Sequence, residues 1–472
     1  MNRRKFFTNG SLAAIGSTII NPFSGVAKTL DFDTLKKNKK AKNIIFLVSD
    51  GMSSGTLNMA DIFLNRKTGL GSNWIQLYKD NRVTRALMDT SSADSIVTDS
   101  AAGGSAWGTG FKVNNGSICT GVNGEQYLPI LQKFKQKGKM VGCVTTVAIT
   151  HATPSSFCVN NNSRNGQFDI ALKYLDINFD VMMGGGAKYF DAEKRKDKRD
   201  LFKDFSEKGY NIVRNRDEML AQNSDKPLLG IFADDDLPYS VDRLNDTEKL
   251  KSTPSLAEMT KVAIDKLSKN KNGFVMQIEG GKVDWGAHAN DIAALINDQI
   301  AFDEAIKVAI EFAEKDKETL VIITTDHGNG NPGIIYGKEA NANFDSIQKY
   351  TKTNEWILNQ IKSENSIAQI QELISFANGK PISEDNAKII LSYYNGLHKK
   401  EEGLYNYKKL PFQAFSEMQK ATNSVGWISE DHSADFVELA MFGPGSELLK
   451  PFVKNTDLHY LMLQAAEIEN KF

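Results

Sequence analysis

Cysteine, proline, long apolar runs and unbalanced charge are all scarce in this chain, and each shortage removes a class of protein. Three cysteines (Cys119, Cys143 and Cys158) in 472 residues cannot form a disulfide framework, and the odd count leaves at least one thiol free or paired between chains. Eleven prolines beside 41% hydrophobic and 24% charged residues exclude a disordered chain and describe one that buries a large core. The apolar stretch Leu12 to Ile20 is too short for a transmembrane helix, and no other segment qualifies. The formal charge is −1; without the first 27 residues, which hold Arg3, Arg4 and Lys5 but no acid, it is −4 (57 less 3 basic residues against 58 acidic). That balance argues against a nucleic-acid partner. No internal repeat is visible.

The beginning of the chain is more informative. Met1-Asn2-Arg3-Arg4-Lys5-Phe6-Phe7, the apolar stretch and the small residues around Gly25-Val26-Ala27 have the order of a twin-arginine-type export signal, cleaved after Ala27. Export to the periplasm or beyond follows from that reading. Residues 28–42 form a polar, lysine-rich linker. The remaining length could make two or three average domains, but large α/β enzymes often wrap one core with insertions, and a single domain over 43–472 is the expectation.

Asn43 to Ser49 holds the unbroken apolar run Ile44 to Val48 and stops at Asp50-Gly51, the pattern of a parallel strand buried on both faces whose carboxyl end carries a functional residue. The pattern recurs. Met140 to Ile149 ends at Thr150-His151-Ala152-Thr153, Phe274 to Ile278 at Glu279-Gly280-Gly281, and Leu320 to Thr325 at Asp326-His327-Gly328. Ligand sites in doubly wound sheets gather beyond the carboxyl ends of strands, so four such endings predict one shared cleft. Helical periodicity over Ser255 to Lys269 and Asp291 to Lys315 places helices between the strands and on both sheet faces. From 328 to 431 the alternation lapses; Phe344 to Lys362, Ile367 to Asn378 and Ser383 to Asn395 read as helices of an insertion forming a cap or partner surface. Val437 to Phe442 reads as the last strand.

The side chains at these endings suggest chemistry. Asp99-Ser100 precedes Ala101-Ala102-Gly103-Gly104, giving a serine uncluttered access and a helix start whose N–H groups can hold phosphoryl oxygens. The bland alternative is an N-capped helix packing closely on a neighbour. Asp50, Glu279, Asp284, His288, Asp326, His327 and His432 supply enough oxygen and imidazole for more than one divalent metal. Asp284 and His288, four apart, share a face if that segment is helical, although Gly286 suits a loop equally well. His398 and His459 lack such company and read as structural.

Taken in order, Asp50-Gly51-Met52, Asp99-Ser100-Ala101-Ala102, His151-Ala152-Thr153-Pro154, Arg164, Glu279-Gly280-Gly281 with Asp284 and His288, Thr325-Asp326-His327 and His432 resemble the alkaline phosphatases across nearly the whole chain beyond the leader. The resemblance implies a three-layer α/β/α sandwich with a central, mostly parallel sheet, two Zn²⁺ and one Mg²⁺ per site, and a homodimer. It assigns Asp284, His288 and His432 to the first zinc, and Asp50, Ser100, Asp326 and His327 to the second. Asp50 bridges to magnesium with Thr153 and Glu279, near His151, which stands where relatives carry His or Asp. Ser100 becomes the nucleophile towards phosphate monoesters, Arg164 the phosphoryl grip and Asp99 its positioner; Trp285 occupies a variable position. A sulfatase would need a Cys/Ser-x-Pro-x-Arg motif, which Ser100-Ala101-Ala102-Gly103-Gly104 is not, and a passive metal- or phosphate-binding protein would have no use for Ser100.

Overall fold

Phe46 and Leu47 are neighbours in sequence and lie in different cores. Ile44, Phe46 and Val48 join a cluster with Trp107 and Phe157, whereas Ile45 and Leu47 join one with Leu295 and Phe302. This is the period of two expected of a strand covered on both faces. The computed structural model describes residues 40–400 and 403–470. The leader expected at 1–27 and all but the last three residues of the linker lie outside the described residues.

In chain order the strands of the main sheet are β1 (Asn43–Ser49), β2 (Thr84–Asp89), β3 (Met140–Ala148), β4 (Val181–Gly185), β5 (Asn211–Val213), β6 (Leu228–Ile231), β7 (Phe274–Gly280), β8 (Thr319–Thr324), β9 (Val437–Phe442) and β10 (Phe452–Lys454). Their spatial order is β10-β2-β9-β8-β1-β7-β3-β4-β6-β5. β1 runs parallel to both β7 and β8, and β3 parallel to β7, so the four strands with polar endings are consecutive in the middle of the sheet. β9 is antiparallel to β8 and β2, and β10 runs parallel to β2.

Helices Ser100–Thr109, Ile130–Gln136, Ala152–Cys158, Gln167–Ile177 and Asp457–Ala465 fill one face of the sheet. Helices Ser54–Thr68, Asn73–Lys79, Leu256–Leu267 and Ile292–Asp316 fill the other, completing the three-layer α/β/α sandwich that the sequence anticipates. Local signals set the helix ends. Ser255 and Glu258 form a capping box, and the Asp291 carboxylate accepts from the Ala293 and Ala294 N–H groups.

Two expectations need correction. The helix read over Phe344 to Lys362 is broken into Ala340–Ser346, a 3₁₀ turn Ile347–Lys349 and Asn354–Gln360. Thr353 accounts for the break: its Oγ1 caps Trp356 N–H while its own N–H and O–H donate to Asp242, a set of bonds no helix interior allows. Nor is β9 the last strand, because β10 follows at the sheet edge. All three cysteines are free and buried, and so offer no thiol to a second chain. Among the described residues no helix is long and apolar enough to cross a membrane.

The 328–431 segment carries its own small core, including Ile357, Ile374, Ile390, Tyr394 and Phe415. Two short ladders, separate from the main sheet, join its ends: Gly328–Asn329 pairs antiparallel with His432–Ser433, and Gly333–Ile334 with Val425–Gly426.

Candidate active site

Each polar strand ending delivers side chains to the same place. Asp50 follows β1, Glu279 lies in β7, Asp326 and His327 follow β8, and the segment after β3 leads to His151 and the helix carrying Thr153. Asp284 and His288 sit on one short helix, Lys282–His288, with its interior Gly286 packed so closely on Leu295 that a Cβ would lie 2.9 Å from the Leu295 nitrogen. His432 arrives from far along the chain because its two-residue strand is paired to the Gly328–Asn329 strand.

Ser100 opens helix Ser100–Thr109, with Asp99 as N-cap. The Asp99 carboxylate accepts from Ala102 N–H at 2.9 Å through one oxygen, and from Gly116 N–H at 2.9 Å and Arg164 Nη1 at 3.0 Å through the other. A single side chain therefore fixes both the serine's helix and the guanidinium. The small residues of this helix also have the packing role of the bland reading: a Cβ on Gly104 or Gly108 would lie 2.1 Å from Ser156 atoms of the neighbouring helix. Ser100 Oγ is buried, 3.3 Å from His327 Nε2.

Three sets of ligand-type atoms converge, each set within 4.8 Å: Asp284, His288 and His432; Asp50, Asp284 and His327; and Asp50, His151 and Glu279. Asp326 Oδ2 lies 3.3 Å from His327 Nε2, beside the second set, and Thr153 Oγ1 donates to Asp50 Oδ2 at 3.2 Å, beside the third. The ring Nδ1 of His288 donates to the Glu430 carbonyl, that of His432 to Thr98 and that of His327 to Gly328. A carbonyl can only accept, so each neutral ring presents a lone pair on Nε2 towards the cluster, the tautomer a metal requires.

The electrostatics call for cations. Burial, reinforced by Asp326 and Asp284, holds the Asp50 carboxyl well above the usual range, and burial raises Glu279 to about 8 and Asp326 to about 6. Asp284 goes the other way, because His288 and His432 outweigh its burial; in return Asp284 raises His288 to about 9. Burial and the Arg164 charge lower His151 to about 3. Asp50 Oδ1, Asp326 Oδ2 and Glu279 Oε1 are buried with no hydrogen-bond partner. Orphaned carboxylate oxygens beside lone-pair imidazole nitrogens fit divalent metals and little else.

Several positioning groups were invisible in the sequence. Thr145 Oγ1 donates to Glu279, and Asn329 Nδ2 donates to Asp284 Oδ1 at 2.7 Å. Gly51, at φ +65°, passes so close to Asp284 that a Cβ would lie 2.3 Å from Oδ1. Only Asn329, two residues beyond His327, carries a local hint. His459 bonds to Lys133 and the Trp107 carbonyl, and neither it nor His398 belongs to the three sets found among the described residues.

A buried serine at a helix start, an arginine tied to its cap and three ligand sets at the carboxyl edge of a parallel sheet define a metal-using α/β hydrolase. Comparison with known proteins narrows the class: the alkaline phosphatase family model matches residues 41–468. The chain belongs to the alkaline phosphatase family and is a phosphomonoester hydrolase. It is 34% identical to alkaline phosphatase 4 of Bacillus subtilis over 457 residues, covering 94% of each chain. The alkaline phosphatase structure from Thermus thermophilus superposes with a TM-score of 0.83 at 30% identity, over 92% of this chain and 94% of that one. The cold-active enzyme from Shewanella sp. gives 0.76 at 26% identity, over 90% and 99%.

Proposed function

We infer that this enzyme hydrolyses phosphate monoesters through a phosphoserine on Ser100, with two Zn²⁺ and one Mg²⁺ held by the converging side chains, and releases inorganic phosphate. Asp284, His288 and His432 would hold the first zinc; Asp50, Asp326, His327 and Ser100 the second; Asp50, Thr153 and Glu279, with His151 alongside, the magnesium. Bound there, the metals would supply Lewis acidity, lowering the pKa of the serine hydroxyl and of water and offsetting charge on the apical oxygens.

The residues do the rest. Ser100 Oγ forms the new bond to phosphorus as the bond to the alcohol oxygen breaks, and water then cleaves the phosphoserine to restore the hydroxyl. The Arg164 guanidinium, oriented by Asp99, offers two parallel N–H donors to the phosphoryl oxygens, which a lysine cannot reproduce. The first N–H groups of the Ser100–Thr109 helix, at the positive end of its dipole, would favour the same negatively charged oxygens. The observation that carries this reading is the buried Ser100 Oγ lying 3.3 Å from His327 Nε2 with orphaned carboxylate oxygens around it. The reading extends to export by a twin-arginine-type leader over 1–27 and to a homodimer, on the strength of Arg3-Arg4 and the family resemblance.

The test is turnover of an aryl phosphate by wild-type protein and by Ser100→Ala. We expect a loss of at least about 10³-fold with zinc content unchanged. Turnover by Ser100→Ala at the wild-type rate would sink the reading.

A further inference from the structure

The cavity over the site is far larger than a phosphoryl group. It measures about 1010 Å³, at the upper end of the range for pockets that enclose drug-sized molecules. Arg164, Asp284, His288 and His432 line its floor. The opposite wall belongs to the 328–431 segment, from the 3₁₀ turn Tyr407–Lys409 and the start of helix Phe412–Asn423.

That wall has a chemical character. Trp285, Tyr393, Tyr407 and Phe412 all line the cavity, in a chain only 9% aromatic overall. Tyr407 and Phe412 lie with ring centroids 4.5 Å apart and planes 36° from parallel, so the mostly buried Phe412 ring packs on Tyr407 and holds it in place at the cavity wall. The charged residues around this outer part are mainly acidic, with Glu417, Glu430 and Asp431 against Lys408. Rings favour a planar group by stacking, and the acids disfavour an alcohol that carries its own negative charge.

We propose that this wall is a leaving-group subsite for monoesters whose alcohol is a neutral planar ring system, such as a nucleoside, with Tyr407 as the main platform and Tyr393 as a secondary one. The proposal rests on the monoesterase reading above for its chemistry, but the alcohol can also be tested as a ligand by itself. With the phosphoryl group held at Ser100 and Arg164, the ring would extend along the cavity to the cap wall. Tyr407 and Tyr393 touch no reacting atom in this arrangement; they determine specificity.

The experiment uses the metal-loaded, full-length enzyme with adenosine 5′-monophosphate, glycerol 2-phosphate and 3-phosphoglycerate as substrates, and adenosine alone in calorimetric titration. We expect wild-type kcat/KM to rank in that order. Tyr407→Leu should lower the ratio of the first to the second about tenfold and weaken adenosine binding to match, whereas Tyr407→Phe, which keeps the ring, should retain both. Tyr393→Ala, at an exposed position, should lower the ratio about threefold and guards against misfolding of the first variant. An unchanged ratio and unchanged adenosine binding in both ring-less variants, or no adenosine binding to the wild type, would overturn the subsite. Failure of the monoesterase reading looks different: none of the three esters would turn over, while the adenosine titration would still report on the wall.

Discussion

The floor and the wall of the cavity are built on opposite principles. The floor is the carboxyl edge of four adjacent strands, where Asp50, Ser100, Glu279, Asp326 and His327 are fully buried and the imidazoles of His288, His327 and His432 are each tied to a backbone carbonyl. The wall is a helical segment with a separate small core and exposed side chains such as Tyr393 and Lys408 facing the cavity. Rigidity belongs where charges must be held at fixed distances; variability belongs where only the alcohol is met. Damage to the floor should therefore abolish chemistry, and damage to the wall should alter selection.

Metal removal gives the sharpest contrast. Chelation should abolish turnover, and zinc plus magnesium should restore it; undiminished turnover after metal analysis shows an empty protein would contradict a floor organised by metals. Next in size is Arg164→Lys, expected to lower kcat/KM on the order of 10²-fold because the paired donors are lost, whatever the alcohol. A loss that varied strongly from one alcohol to another would assign Arg164 to the wall instead.

Phe415→Ala addresses the wall's own core. Truncating this buried ring should destabilise the cap by about 3 kcal/mol. Chemical denaturation followed through Trp356, which packs against that core, should show the loss, with metal content unchanged. Loss of metal in this variant would show that floor and wall are one cooperative unit.

The smallest effect is a pH slope in the metal-free protein. Glu279 at about 8 and His288 at about 9 stay protonated in the fold at pH values where the unfolded chain has already released those protons. The folded state then binds more protons, so stability falls as pH rises from about 7 to about 9, on the order of 1 kcal/mol per pH unit. His151 and His327 are neutral in the fold, and the few of their protons that the unfolded chain retains near pH 7 add only a small opposing slope at the start of the window. Thermal unfolding with and without metals measures it, and a metal-free protein whose stability rises across the window would refute the charge balance described for the floor.

Much of the floor was legible in advance because it is written in local patterns. β1, β7 and β8 are apolar runs stopped by an acid or a glycine, and Asp99-Ser100 is a cap followed by small residues. The wall was legible only in part. Ile367–Asn378 and Glu384–Ser392 follow their helical periodicity, but the segment at 344–362 has the pattern of one helix, because nothing local announces that Thr353 will bond to Asp242, 111 residues away. The short edge strand β10 leaves no mark in the sequence for a similar reason: three residues, Phe452–Lys454, carry too little periodicity to stand out.

By itself the sequence determined the strand order's raw material, the polar ending of each central strand and the kinds of ligand available, since each depends on side-chain type and spacing over a few residues. Tertiary structure alone decided that Asp284 faces two ligand sets, that His432 is carried to the floor by a two-residue ladder, and that Thr98, Gly328 and Glu430 orient the imidazoles. The physical reason is that carbonyl groups are identical in every residue, so which of them meets a given ring is fixed only when distant segments pack together.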